Sequence, residues 1–533
     1  MTNHNPLLVT LMASASNPSN RSKLRGIRPK GIKIMHAQVS IFNTIDNYNK
    51  KQGVKFLAYW VIFAITLGIF FLLFGNPMRF LRAESGLILI TSFDSSAYKD
   101  SIRHMCLFSY GGHYIPIAWI GEFLTSRCFT DNESLWFLRQ LTIISFMGAS
   151  IALLLQRVFI NIFPHSSHNI LAFSLAWAFC VQPIMFENFS WPFMAMQMGV
   201  IALAALSVYE LLNHIYTYTS RYSLYLAALY AYLTLHLNGI GIATVVGLGA
   251  CLIIFIFKRQ FVNIKDIIFP LIFLSILSLL HIYMMTRGLS LSSSQPDSIS
   301  FSSQIVRYGG LLIGILQFSG MAIWGHWVYP HPHIDYFTAQ WPYGWAFIVI
   351  FLCILLALLR TRNDTITGPM VCILFAGISF LVYLCSIIYR HQHDDVYAFS
   401  GYFFGSRYLI FSNFYLLIFM TGMLVSMPSL TNRTPAFVMS AIILLFSTYG
   451  AIGFRKEIAP KVWPDLMPSQ TKYIQDQVSI IRECLKNGKA IPNPIMPRYL
   501  CYEFEGNRLS YLEPILIKHL NFSKDQHLNW EED

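Results

Sequence analysis

Leu57 to Gly75 reads LAYWVIFAITLGIFFLLFG. The run carries no charge and meets the ~20 apolar residues that a helix needs to cross a bilayer. Comparable runs recur near 141–162, 169–186, 193–212, 223–238, 240–257, 267–285, 344–360, 368–388, 406–427 and 435–453. Together they predict about eleven spans. Composition agrees. Of the 533 residues, 55% are hydrophobic and 12% charged, and mean hydropathy is +0.50. Soluble domains carry roughly 25% charged residues. A soluble enzyme, a disordered scaffold and a disulfide-knot protein are excluded. The expected fold is an all-α polytopic membrane protein.

The net charge of +12 is concentrated in the first 56 residues, which hold nine Lys/Arg against the single acid Asp46. A basic patch suits nucleic acid, but beside a first span it marks a cytoplasmic flank. The expectation is a disordered cytoplasmic tail over 1–56 and no nucleic-acid partner. No cleavable signal peptide fits, because the first apolar run starts far from Met1 and more spans follow. Met35 is an alternative start.

Alternating the spans from a cytoplasmic amino terminus places Arg221, Lys258, Arg259, Lys265, Arg360, Arg362 and Arg433 in inner connections, as the positive-inside bias requires. The outer side receives loops 76–140, 286–343 and 389–405. It also receives a small carboxy-terminal domain, 454–533, whose eleven basic and eleven acidic residues balance. Residues 57–453 form the transmembrane domain.

Cys180, Cys251, Cys353, Cys372 and Cys385 sit in apolar runs as small hydrophobes. Cys106 with Cys128, and Cys484 with Cys501, are either bridges in an oxidising compartment or free thiols.

Chemistry-bearing residues collect on the expected outer side. The first loop reads Phe93-Asp94-Ser-Ser-Ala-Tyr98-Lys99-Asp100-Ser-Ile-Arg103-His104, then Gly111-Gly112-His113-Tyr114-Ile115-Pro116. A carboxylate at a lipid boundary with Arg and His nearby suits a base that takes a proton from an acceptor hydroxyl. The plain alternative is a solvated loop with turn-forming Asp. Glu187, in the short turn 187–192, is either interfacial polarity or a site residue. The 286–343 loop gathers Trp324, His326, Trp327, Tyr329, His331, His333 and Asp335. The spacing matches no standard zinc pattern, and an interfacial aromatic belt explains the ring content. Arg390 and Arg407-Tyr408 bracket the 389–405 loop. Guanidinium at a membrane boundary finds a phosphate partner or snorkels to headgroups.

An Asp opening a long first outer loop, a His113-Tyr114-Ile115-Pro116 element, a Glu-bearing turn and a late Ser406-Arg407-Tyr408 entering a span resemble the GT-C class of polytopic glycosyltransferases. That class includes protein O-mannosyltransferases, lipid A aminoarabinose transferases and bacterial O-antigen glucosyltransferases. The layout match covers roughly 57–453, and the motif match covers 91–118 and 405–408. The resemblance implies a polyprenyl-phosphate-linked sugar as donor and a cell-envelope glycan, lipid or protein as acceptor. It implies inverting transfer of a hexose-like sugar on the outer face of a bacterial inner membrane. It casts Asp94 as base or acceptor-positioning group. Many members carry two adjacent acids there. Here Ser95 follows Asp94, so Asp100 shares the role. Arg407 is cast as the donor-phosphate ligand, with Arg103, His113, Glu187, Arg390 and Tyr408 as further substrate contacts. Nothing requires a cofactor, and a divalent cation is compatible.

Two other functions fit the same layout. An O-antigen polymerase or ligase would rely on the later loops, and hence on Arg390 rather than Asp94. A lipid or solute transporter would place charges inside its spans.

Overall fold

The computed structural model describes residues 31–74, 114–129, 133–160, 167–182, 185, 188–189, 192–217, 221–258, 264–289, 367–390, 409–426 and 433–453. Among them the regular structure is helical, with no strand. The helices are α1 (Gly31–Phe74), α2 (Pro116–Phe129), α3 (Glu133–Phe159), α4 (Ser167–Val181) and α5 (Ala195–Thr217). They continue with α6 (Arg221–Leu237), α7 (Ile242–Lys258), α8 (Lys265–Leu289), α9 (Gly368–Arg390), α10 (Leu409–Val425) and α11 (Arg433–Gly453). Single 3-10 turns at Pro192–Met194 and Gly239–Gly241 precede α5 and α7. The chain divides into two units, Met1–Ala58 and Tyr59–Asp533. What is described of the first is helix from Gly31 onward, in residues for which the sequence suggests no structure.

Five segments are long and apolar enough to cross a membrane: Gln52–Phe74, Ser134–Phe159, Ala195–Tyr216, Gly239–Lys258 and Lys265–Met285. Shorter apolar helices are His168–Val181, Gly368–Tyr383, Ile410–Val425 and Val438–Gly453. These nine coincide with expected runs. The expected span 344–360 and the tail 454–533 lie outside the described residues. Besides the early start of α1 at Gly31, two features differ from expectation. α3 begins at Glu133, well before 141, and α2 forms within the expected loop 76–140. Pro116 opens α2 at the one helical position where a missing N–H costs nothing.

Packing follows the small residues. Phe63 of α1 lies against Gly148 of α3, where an added Cβ would sit 3.0 Å from its ring, and packs with its ring tilted at 4.7 Å on Phe173 of α4. Close approach at glycine is the usual means of joining helices where lipid removes the hydrophobic gain. Buried polar side chains add cross-helix bonds. Thr244 of α7 meets Tyr415 of α10 at 2.9 Å, and Ser207 of α5 donates to the Ala227 carbonyl of α6 at 2.9 Å. The hydropathic window of Ser134–Phe159 is 78% buried, whereas that of Lys265–Met285 is 28% buried. α8 therefore sits at the rim, presenting Ile276, Leu279 and Leu280 outward. An apolar outward face of this kind is what a lipid-facing helix requires. Cys180, Cys251 and Cys372 are buried as expected, whereas Cys385 is exposed; Cys128 is an exposed free thiol. Cys106, Cys353, Cys484 and Cys501 lie outside the described residues.

The α6–α7 reversal is fixed locally. The Asn238 side chain caps the 3-10 turn by accepting from the Ile240 N–H at 3.1 Å, and Thr234 donates to the Gly241 carbonyl at 3.2 Å. A Cβ at Gly241 would stand 2.5 Å from both the carbonyl carbon and oxygen of Thr234. Backbone cannot move aside as a side chain does. Gly241→Ala should cost roughly 1–3 kcal/mol, read as a lowered unfolding temperature of the detergent-solubilised protein. An unchanged melt would show that the turn has room.

Candidate functional site

The contacts fix which helix ends lie together. Phe71 of α1 stacks on Phe189 at 4.0 Å. Gln140, in the second turn of α3, donates to the carbonyls of Asn188 and Phe189 at 3.3 and 3.2 Å. Asn413, at the start of α10, donates to Gln182 just past α4 at 2.7 Å. Trp119 of α2 packs at 4.8 Å on Phe193, ahead of α5. Tyr114, ahead of α2, meets His236 at the end of α6 and His281 late in α8. Tyr383 of α9 faces Phe411 of α10 at 6.1 Å. One end of the bundle thus gathers the finish of α1, α4, α6, α8 and α9 and the start of α3, α5, α7 and α10. At the other end Arg157 of α3 lies 4.9 Å from the Tyr216 ring of α5, and Gly368 at the start of α9 abuts the same tyrosine.

Asp94, Asp100, Arg103, His113, Glu187, Arg407 and Tyr408 lie outside the described residues. Arg390 is the last residue of α9. The described residues bordering these positions all sit at the first end: Phe74 and Tyr114 around the 94–113 group, Gln182 and Asn188 around Glu187, Leu409 after Tyr408, and Arg390 itself. His113-Tyr114-Ile115-Pro116 is described from its second residue. Tyr114 reaches the α6 and α8 histidines, Ile115 is buried with Trp119 and Phe123, and Pro116 starts α2.

The same end carries groups the sequence reading did not single out. Glu122 of α2 forms an ion pair with Arg139 of α3, and Arg139 also lies 5.4 Å from the Trp136 ring. Glu122 is 2% exposed, and its second carboxylate oxygen is buried and makes no hydrogen bond among the described residues. Burial raises its pKa above the ordinary value, with Arg139 opposing in part. Gln182 Nε2, both polar atoms of Asn188 and Asn413 Oδ1 are also buried and make no hydrogen bond among the described residues. One signal in the sequence marks two of them: Gln182 and Asn413 are polar side chains inside apolar runs, which are costly in a bilayer and serve a site or a partner helix. Such an end, with a buried carboxylate, a guanidinium and amides holding unused hydrogen-bonding capacity, has the donors and acceptors that a polar, hydroxyl-rich ligand needs.

Among the described residues no group of three or more His, Cys, Asp or Glu is placed to hold a metal ion. No family model matches the chain, and no curated protein matches it.

Proposed function

We infer that this chain is a GT-C-type membrane glycosyltransferase, moving a hexose-like sugar from a polyprenyl-phosphate donor to a cell-envelope glycan, lipid or protein. The outer face of a bacterial inner membrane is the place of transfer. One observation supports the inference: the described residues that flank the segments holding the expected substrate-handling residues lie at one end of the bundle. That end also holds buried polar groups that make no hydrogen bond among the described residues.

The chemistry suits this position. A lipid-linked donor presents its reactive carbon at membrane depth beside its phosphate. Inverting transfer needs one base on the acceptor hydroxyl and one cation on the departing phosphate. Asp94, aided by Asp100, serves as the base, and Arg407 holds the phosphate through paired hydrogen bonds. Arg103, His113, Glu187, Arg390 and Tyr408 orient the sugar and acceptor. The protein supplies both charges without a cofactor, and a divalent cation would strengthen the phosphate contact.

The test is transfer itself. Membranes holding the protein, given radiolabelled polyprenyl-phosphate sugars, should move label into an envelope acceptor, and membranes lacking it should not. No transfer with any donor, together with donor flux in vesicles of purified protein, would replace this function with transport.

A further inference from the structure

Glu187, a substrate contact in the sugar-transfer scheme, is joined directly to Asn188. Both belong to the connection between α4, which ends at Val181, and the 3-10 turn that opens at Pro192. The Asn188 carbonyl lacks the usual helical partner, because the residue four positions on is Pro192, which has no N–H. Gln140 of α3 takes that place. Its Nε2 donates to the Asn188 carbonyl at 3.3 Å and to the Phe189 carbonyl at 3.2 Å, and the residue is 0% exposed. A primary amide nitrogen carries two N–H donors without charge, so one neutral side chain serves two successive carbonyls.

The Phe189 ring is held as well. It is buried, stacks on Phe71 of α1 at 4.0 Å and meets Phe137 of α3 edge-on at 5.7 Å. Phe137 and Gln140 are three residues apart, so one face of α3 grips ring and backbone together. At the start of the connection Asn413 of α10 donates to Gln182 at 2.7 Å. The chain is therefore tied to other helices on either side of Glu187. Two bonds to neighbouring carbonyls fix the orientation of the peptide units as well as their place. That is what a side chain acting on a substrate needs from its backbone, since a misplacement of about 1 Å can cost on the order of 100-fold in rate.

We propose that Gln140 is a positioning residue for sugar transfer, bridging the Asn188 and Phe189 carbonyls so that the adjoining Glu187 meets the substrate from a fixed backbone. The role rests on the glycosyltransferase reading and adds to it a helix, α3, that supplies none of the substrate contacts. Gln140 itself touches neither donor nor acceptor, and its effect passes through Glu187.

The test uses the full chain in detergent. Gln140→Leu keeps the bulk of the side chain and loses both bonds. Hydrogen exchange in peptides covering 183–192 should rise about tenfold, while peptides from α3, α4 and α5 keep wild-type protection. With radiolabelled polyprenyl-phosphate sugars, turnover should fall roughly 10–100-fold and the half-saturating donor concentration should change little. In a Glu187→Ala background the same substitution should add less than about twofold, because the side chain it positions is gone. A merely structural role would lower both backgrounds by one factor. Gln140→Asn, polar but one methylene short of reaching both carbonyls, should behave likewise and serves if leucine disturbs folding. Unchanged exchange over 183–192, equal losses in the two backgrounds, or full transfer by both Gln140 variants each overturns the proposal. Wild-type protein that transfers no sugar from any donor also overturns it by removing the reaction. Raised exchange in the variants would then show that the bridge is a feature of the fold alone.

Discussion

Arg139→Leu should destabilise the detergent-solubilised protein by roughly 3–5 kcal/mol at neutral pH, among the largest losses that one substitution here can produce. The substitution leaves the Glu122 carboxylate, 2% exposed, without its counter-charge. Burying two opposite charges together approximately breaks even, whereas burying one alone does not. The effect carries a signed pH dependence. Burial already holds the Glu122 pKa above its ordinary 4.5, and Arg139 is what pulls it back. Without Arg139 the folded-state value climbs further, while the unfolded value stays near 4.5. The folded chain then binds a proton that the unfolded chain has released, so stability falls as pH rises through that window. The deficit of Arg139→Leu should therefore be large at neutral pH and shrink as the medium is acidified toward the ordinary carboxylate range. Adding Glu122→Gln to Arg139→Leu removes the charge and should restore most of the loss at every pH. Unfolding curves at acidic and neutral pH decide it. A deficit equal at both would mean that Glu122 is neutral in the folded protein and that the leucine acts through packing against Trp136 instead.

The pair also shows where the sequence stops being informative. The apolar runs reveal ten of the eleven described helices, all but α2, because a lipid-crossing helix satisfies its own backbone and needs only length and hydropathy to be recognised. The boundary of α3 escapes this rule. Arg139 and Gln140 read as loop residues, yet they belong to a helix because Glu122 takes the guanidinium and the carbonyls of Asn188 and Phe189 take the amide. Those partners lie 17, 48 and 49 residues away in the chain, and no local pattern announces them. α2 escapes for a related reason. It is short, and its buried face holds Ala118, Trp119, Phe123 and the polar Glu122 and Ser126 rather than a continuous apolar run. The candidate site proposed above rests on a different kind of signal, and Asp94, His113 and Arg407 lie outside the described residues. Asp94, Arg407 and the His113-Tyr114-Ile115-Pro116 element stand out by residue type and position. Glu122 and Gln140 stand out only once the fold brings α2, α3 and the connection ahead of α5 to one end.

Asp94→Asn should lower sugar transfer by roughly 10²–10⁴-fold while leaving protein level and helicity unchanged. Asparagine keeps the shape and the hydrogen-bonding reach of aspartate but takes no proton from the acceptor hydroxyl. The loss should fall on turnover rather than on donor affinity, and wild type should show an acidic decline in rate, as its base is protonated, that the variant lacks. Asp100→Asn provides the internal comparison. If the two carboxylates share the work, its loss is smaller and the acidic decline survives. Arg407→Lys tests the other half of the reaction, because it keeps the charge and discards the fork that grips two phosphate oxygens. Its effect should appear first in the donor concentration needed for half-maximal rate. The pattern across Asp94, Asp100, Arg407 and Arg390 distinguishes neighbouring chemistries more sharply than any single loss. A polymerase or ligase working from the late loop would tolerate Asp94→Asn and fail on Arg390→Ala, because its transferred chain is handled there. Full transfer by Asp94→Asn would remove Asp94 from the role of base. Cysteine labelling that placed residues 91–118 in the cytosol would go further and separate the whole first loop from a donor whose sugar faces the other side.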